Sequence, residues 1–349
     1  MHRHVFLSAA FVSSLALTGF AQTNVTLTLQ VAGATRSCVV HVPSGVEKPP
    51  LVFFVHGATG SGAGFRNDTK GDVTADREKF IAAYPSASSN GGSGTWDDMQ
   101  GTGNFPFFQA VIDTLDARYK IDRNRIYMTG FSQGGFISFA AACFYSDVFA
   151  AVAPVSGHTM TSCKLKRPVP MFMTFGGNEG AASFLKDLDY WLNLNTCPST
   201  STIARPYPAS NPNSKVTRVS YASCAQGASV LMDSISGQGH QWPGTNNLNQ
   251  ADEVWAFFKQ YSLNSATGVR LEKLGGAREA ISVSYAAGIV RLNGIGDDSR
   301  VQVTDTKGRL VTTVARRQNQ IAFTNMPSGL YVVAVRGSDR SVSRKILVP

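Results

Sequence analysis

Three residue types needed for nucleophilic attack on a carbonyl stand far apart in this chain, each in a setting that suits one role. The stretch GFSQG (Gly130–Gly134) places Ser132 between two glycines, after the strand-like run RIYMT and ahead of the helix-like run FISFAAACF. A serine on so sharp a strand-to-helix turn needs small neighbours two residues away on either side, and its Oγ is pushed out above the sheet edge. The backbone N–H of Gln133 then points to where a developing oxyanion would sit. The bare G-x-S-x-G pattern is common by chance, so its meaning rests on the strand–turn–helix context.

A serine hydroxyl at its ordinary pKa needs a general base within hydrogen-bond reach. In the α/β-hydrolases, whose nucleophile turn this pattern resembles, the acid and then the histidine follow the serine along the chain. There are six histidines. His2 and His4 lie in an N-terminal segment that reads as a removable signal, and His41 lies in an opening strand. His56 and His158 precede any plausible acid or stand in the wrong order. His240 alone qualifies, in GQGHQWPG (Gly237–Gly244), a loop too rich in Gly and Pro for helix or strand. The acid is expected just past a strand between the two, and VPMFMTFGGNEG puts Glu179 there. Asp187 and Asp189, which a helical pattern assigns to the surface, are the alternatives. HGATGSG (His56–Gly62) follows the central apolar strand, so its loop would supply a second oxyanion donor from Ala58 or Thr59, with His56 holding the loop.

These residues need a scaffold, and the apolar patterning supplies one. From about residue 24 to 262, short buried-strand runs such as PPLVFFVHG, AAVAPVSG and VPMFMTFGG alternate with helical periods. In FFQAVIDTLDARY, for example, Phe108, Val111, Ile112, Leu115 and Tyr119 share one helical face. Alternation of this kind predicts an α/β fold, a mostly parallel sheet with helices on both faces. Two segments at the start, VTLTLQV and SCVVHVP, read as a β-hairpin. After about residue 265 no helix period is visible, and β-rich stretches recur about every ten residues, which predicts a small all-β sandwich. The expected division is a signal peptide over 1–21, an α/β domain over 24–262, a linker over 263–271 and the β domain over 272–349.

The signal reading comes from MHRHVFLSAAFVSSLALTGFAQ, with Arg3, an apolar run, and Gly19 and Ala21 spaced for a peptidase. No later run is long and apolar enough to span a bilayer, so the expectation is an exported protein, extracellular or held at the cell surface. Export permits disulfides among the five cysteines. Cys38 sits in an alternating strand pattern and reads as a buried free thiol. Order along the chain suggests Cys143–Cys163 and Cys197–Cys224, although sequence alone leaves the connectivity open. No cysteines or histidines outside the signal stand at metal-ligand spacing, so no metal and no cofactor are expected. The net charge is +9, and thirteen Lys and Arg against six Asp and Glu follow residue 265. They are scattered singly with no interleaved nucleic-acid motif, so a solvated surface is the reading and no nucleic-acid partner is expected.

Taken together, VHGATG, GFSQGG, FAAVAPVSG, VPMFMTFGGNEG and above all GQGHQWPG resemble the secreted esterases of the polyhydroxybutyrate depolymerase and feruloyl esterase group, close to carbohydrate esterase family 1. The motifs occur in family order over about 24–262. The resemblance implies an α/β-hydrolase fold, Ser132 as nucleophile and His240 as base, and carries Cys197 and Cys224 onto positions commonly paired. It further implies a polysaccharide or polyester substrate. Feruloyl or acetyl esters of plant xylan are the first expectation, polyhydroxyalkanoate the second, and a non-catalytic surface binder a distant third. Trp96 and Trp242 are read as exposed aromatics that could face a sugar or phenolic ring. The chain departs from the group where HGTAD is replaced by FGGNE, which puts Glu179 in an aspartate position, and in GNFPFF, where Asn104 replaces part of a paired-Asp element. The tail, GLYVVAVRGSDRSVSRKILVP, resembles the C-terminal sorting domains of the type IX secretion route, which implies contact with secretion machinery.

Overall fold

The fifth strand of the chain ends at the serine turn, and the sheet around it explains why that turn is rigid. The computed structural model describes residues 21–88, 91–96, 103–159, 162–244 and 248–264, and the strands between 282 and 348 with parts of their connections. The expected signal segment, most of the expected linker and part of the SNGGSGTWDDMQ loop lie outside the described residues.

The first unit contains β1 (Thr23–Val31), β2 (Ala34–Val42), β3 (Leu51–Val55), α1 (Gly62–Thr69), α2 (Gly71–Glu78), β4 (Ile81–Pro85), α3 (Phe105–Tyr119) and β5 (Ile126–Phe131). These are followed by α4 (Gln133–Phe144), β6 (Ala151–Val155), β7 (Met171–Gly176), α5 (Ala181–Leu194), β8 (Thr202–Tyr207), β9 (Val216–Tyr221), β10 (Val230–Ile235) and α6 (Gln250–Phe258). The strands form one ten-stranded sheet in the order β1-β2-β4-β3-β5-β6-β7-β10-β9-β8. From β4 to β10 all neighbours run parallel, and antiparallel pairs close both edges. The opening hairpin turns at Ala32 and Gly33, both at positive φ, as a two-residue hairpin turn requires.

The apolar run of β3 shows why the sheet must be covered twice. Leu51, Phe53 and Val55 enter one core with residues of α3, α4 and α5. Val52 and Phe54 enter the other with residues of α1, α2 and α6. Side chains alternate faces along a strand, so five consecutive buried apolar residues demand helices on both sides. The helix α4 is apolar nearly all round and lies buried over the sheet, the pattern of an interior helix.

The expected disulfide partners meet: Cys143 pairs with Cys163, and Cys197 with Cys224. Cys38 is free and fully buried, and burial pushes its thiol up. In the C-terminal region β11 (Ser282–Ala286), β12 (Ile289–Asn293) and β15 (Gln320–Ala322) form one antiparallel sheet. β13 (Arg300–Asp305), β14 (Leu310–Val314), β16 (Gly329–Arg336) and β17 (Ser341–Val348) form the other. Val290, Leu292 and Ile321 of the first share a core with Val301, Val303, Val333 and Val335 of the second, which makes this a sandwich.

The disulfides close chain separations of 20 and 27 residues, each worth about 3 kcal/mol in the chain-entropy account. Replacing Cys197 and Cys224 together by Ser is therefore expected to lower the melting temperature by several degrees in a calorimetric scan. A reducing agent should have little further effect through that pair.

Candidate active site

Four of the parallel strands, β5, β6, β7 and β10, deliver the candidate residues from their C-terminal ends, the end at which open α/β sheets bind ligands. Ser132 follows β5 at φ 55 and ψ −116, a conformation costly for any residue with a side chain. Close packing imposes it. A Cβ built on Gly134 would lie 1.9 Å from the Val55 carbonyl oxygen, and one on Gly130 would lie 2.4 Å from the Gly134 oxygen. Only glycine fits either place, which is the physical content of the two glycines in the motif. The turn is pinned by Ser132 N–H donating to Val155 O at 2.9 Å.

Glu179 sits in a single 3₁₀ turn directly after β7. Its Oε1 accepts from the Gly176 N–H and the Ser156 hydroxyl, both at 2.7 Å. Its Oε2 lies 2.5 Å from His240 Nδ1, and His240 Nε2 lies 2.9 Å from Ser132 Oγ. A carboxylate only accepts, so Nδ1 carries the imidazole proton and Nε2 is left to accept from the serine hydroxyl. His240 reaches that position because its loop folds back over the end of β7. A Cβ on Gly176 would meet the Gly239 and Gln238 oxygens at 2.3 and 2.5 Å, and Asn178 N–H donates to Gln238 O at 2.9 Å. Phe131, just before the serine, packs against the imidazole with the two rings tilted by 40° and their centroids 4.8 Å apart.

The 57–60 turn passes over the same serine, since a Cβ on Gly57 would lie 3.1 Å from Ser132 Cβ. Gly60 N–H is used by Gly57 O at 3.2 Å, so the oxyanion candidates of this loop remain Ala58 and Thr59, the latter at φ 58. On the other side Gln133 opens α4, where first-turn N–H groups have no intrahelical partner and favour an anion. His56 braces the loop as expected: its Nε2 accepts from Ala87 N–H at 3.0 Å, so Nδ1–H donates to Gly57 O at 2.6 Å. Burial holds His56 below its ordinary pKa.

Two expectations are corrected. Trp96 is not an exposed aromatic: it is 2 % exposed. Its indole N–H donates to His56 O at 2.9 Å, and its backbone N–H donates to the Gln133 side-chain oxygen at 3.1 Å. It ties the elbow to the opposite loop, which Gly94 N–H joins at Gly60 O. Asp187 is not a surface charge either: it is buried and accepts from His158 Nδ1 at 2.6 Å and Thr159 N–H at 3.0 Å, away from His240. Asp189 is exposed, as expected. Trp242 is half-buried and packs edge-on to Phe65 at 5.1 Å. Asn104 is buried beside Arg36, which donates to its Oδ1 at 3.3 Å. The fully buried Asp233 also lies between serine and histidine in the chain, but Arg218 grips both of its oxygens.

Ser156 was missed by sequence reasoning. It follows β6 at φ 49 and grips the carboxylate, and only its place at a strand end beside Gly157 hinted at a role. Phe131, Phe65, Trp242, Ala58 and His240 also line a cleft of about 470 Å³.

Residues 36–167 match the family described as esterase PHB depolymerase. This segment is similar to the esterase domains of that group. Residues 279–349 match the secretion system C-terminal sorting domain. The chain is 30% identical over 245 residues to a bifunctional acetylxylan esterase/xylanase of Neocallimastix patriciarum, covering 68% of this chain and 35% of that protein. It is 34% identical over 126 residues to poly(3-hydroxyalkanoate) depolymerase C of Paucimonas lemoignei, covering 34% and 30%. It is 27% identical over 175 residues to feruloyl esterase D of Neurospora crassa, covering 48% and 58%. The chain thus spans about a third of the length of the first two relatives. Among solved structures, the acetyl xylan esterase from Aspergillus awamori superposes with a TM-score of 0.52 at 17% identity, covering 69% of this chain and 99% of that one, and so shares the α/β-hydrolase fold. Among the described residues no helix is long and apolar enough to cross a membrane.

Two outcomes are expected. Gly134→Ala should leave little correctly folded, active-site-competent protein, read by circular dichroism and reaction with a fluorophosphonate probe. Because its folded pKa is depressed, neutral His56 contributes stability that is present above about pH 6.5 and lost as the pH falls through the folded pKa. Thermal melts from pH 7 to 5 should show a loss that His56→Gln reduces.

Proposed function

We propose that this chain is a secreted serine esterase. Ser132 Oγ attacks an ester carbonyl while His240 Nε2 takes the hydroxyl proton, and backbone N–H groups of Gln133 and of Ala58 or Thr59 hold the oxyanion. His240 then returns the proton to the leaving alcohol as the carbon–oxygen bond breaks. Water repeats the sequence on the acyl-enzyme and releases the acid. Glu179 keeps the imidazole in the required tautomer and stabilises the imidazolium. These steps need no metal and no cofactor.

The observation that carries this reading is the continuous hydrogen-bonded line from Glu179 through His240 to Ser132. Feruloyl or acetyl esters of xylan are the substrates favoured by the relatives described as acetylxylan and feruloyl esterases, with Trp242 as a contact for the polymer. The second reading, polyhydroxyalkanoate depolymerisation, is favoured by the family match and the depolymerase relative. A purely binding role would not need three correctly placed groups. Residues 1–21 then serve as export signal, 24–262 as the catalytic unit, 263–271 as a linker and 272–349 as a sorting or attachment domain that meets the secretion machinery.

Purified protein is expected to release acid from methyl ferulate or acetylated xylan, and Ser132→Ala to abolish it. Release from a polyhydroxybutyrate film alone would favour the second reading, and no release from any of the three would overturn both. Glu179→Gln should cut kcat by about 10³–10⁴ without loss of fold; a near-normal rate would remove Glu179 from the role.

A further inference from the structure

Two neighbouring strands each end on a serine in the left-handed backbone region: Ser132 after β5 at φ 55 and Ser156 after β6 at φ 49. Each is pinned to the next strand, Ser132 N–H to Val155 O at 2.9 Å and Ser156 N–H to Thr174 O at 2.8 Å. A residue with a side chain is disfavoured in that region, whereas glycine enters it freely. For Ser132 the nucleophilic hydroxyl accounts for the side chain. Ser156 is 4 % exposed, so its hydroxyl serves neither attack on a substrate nor contact with solvent. What it supplies is a hydrogen bond, donated to Glu179 Oε1 at 2.7 Å.

That bond differs in kind from the other on the same oxygen. Gly176 N–H, the second donor to Oε1, lies three residues before Glu179 and caps the same 3₁₀ turn. It fixes the shape of the turn. Ser156 comes instead from the neighbouring strand, directly after Val155, whose carbonyl holds the Ser132 backbone. Gly157 presses this segment onto the start of α4, since a Cβ there would lie 2.5 Å from the Gly135 carbonyl carbon. The links close a ring. It runs from Ser132 N–H to Val155 O, through the chain to Ser156, and across to Glu179. From there it continues to His240 Nδ1 at 2.5 Å and returns from Nε2 to Ser132 Oγ at 2.9 Å. The carboxylate is thereby set against the backbone of the nucleophile itself. Without the Ser156 hydroxyl, the broad terminal torsion of the glutamate loses the restraint that ties it to β6.

We infer that Ser156 is a positioning residue of the candidate triad: its hydroxyl, held at a strained strand end, fixes the Glu179 carboxylate and through it the imidazole. The inference rests on the reading of Ser132, His240 and Glu179 as a triad, and it adds a fourth residue that touches no substrate.

The test measures kcat and KM for 4-nitrophenyl acetate, together with the far-downfield proton resonance of a carboxylate-bound imidazole N–H, which reports the Glu179–His240 contact. Ser156→Ala and Ser156→Gly both remove the hydroxyl, and the second also removes the backbone strain. Both are expected to lower kcat by about ten- to hundredfold, the range for a hydrogen bond to a charged group, with KM unchanged. The downfield resonance should shift or broaden away in both. Ser156→Gly should melt within a few degrees of the wild type, so that its loss of rate is not a loss of fold. In a Glu179→Gln background the same substitutions should lower kcat little further, because residues that act through one group are not additive. Wild-type turnover in either single variant, or a loss that reappears in full beside Glu179→Gln, would overturn the positioning role. Absence of hydrolysis by the wild-type chain, or hydrolysis that survives Ser132→Ala, would instead overturn the triad reading, and the positioning role with it.

Discussion

The close approach of the α4 N-terminus to the end of β3, where Gly134 lies against the Val55 carbonyl with no room for a single added carbon, sets the geometry of everything around it. That approach forces Ser132 into a high-energy backbone conformation, and the cost is met by burial of an apolar helix and by the parallel strands on either side. Because β5 and β3 are neighbours in the sheet, the same contact brings the 57–60 turn over the serine. The two candidate oxyanion donors therefore come from two segments that tertiary packing holds together. Trp96 and the Gln133 side chain then cross-brace those segments, so the donors are fixed before any substrate arrives, as electrostatic stabilisation requires.

The acid side is organised by a second close approach. Backbone oxygens of the His240 loop lie against Gly176, so the loop can turn back towards Ser132 only because the residue ending β7 has no side chain. Glutamate in place of aspartate lengthens the arm by one carbon. The structure accommodates it with a 3₁₀ turn and with two donors, Gly176 N–H and the Ser156 hydroxyl, on the oxygen that does not face the histidine. Both carboxylate oxygens are thereby occupied, and the imidazole has one orientation that satisfies them.

Much of this was legible in the sequence, for reasons that can be named. GFSQG and GQGHQWPG were readable because each combines a reactive residue with glycines that only a tight turn explains. The double-sided sheet was readable because LVFFV, AAVAPV and MFMTF are too uniformly apolar for a strand with a wet face. Glu179 was readable from its place just past a strand. Trp96 was misread because a tryptophan in a Gly-rich loop carries no local sign of whether it faces water or the back of another loop. Asp187 was misread because helical periodicity reports a face, and here the face carrying Asp187 meets His158 from a distant loop.

The sequence by itself determined the turns, the alternation of strand and helix, and the identity of the groups able to attack, accept and donate protons. These are local properties, set by side-chain volume, backbone freedom and periodicity within a few residues. Only the tertiary structure decided which carboxylate faces His240, that Ser156 holds it, that Asp233 is taken by Arg218, and that Phe65 and Trp242 line one cleft. Those outcomes depend on the order of strands in the sheet and on contacts between residues tens to more than a hundred positions apart, about which no local pattern carries information.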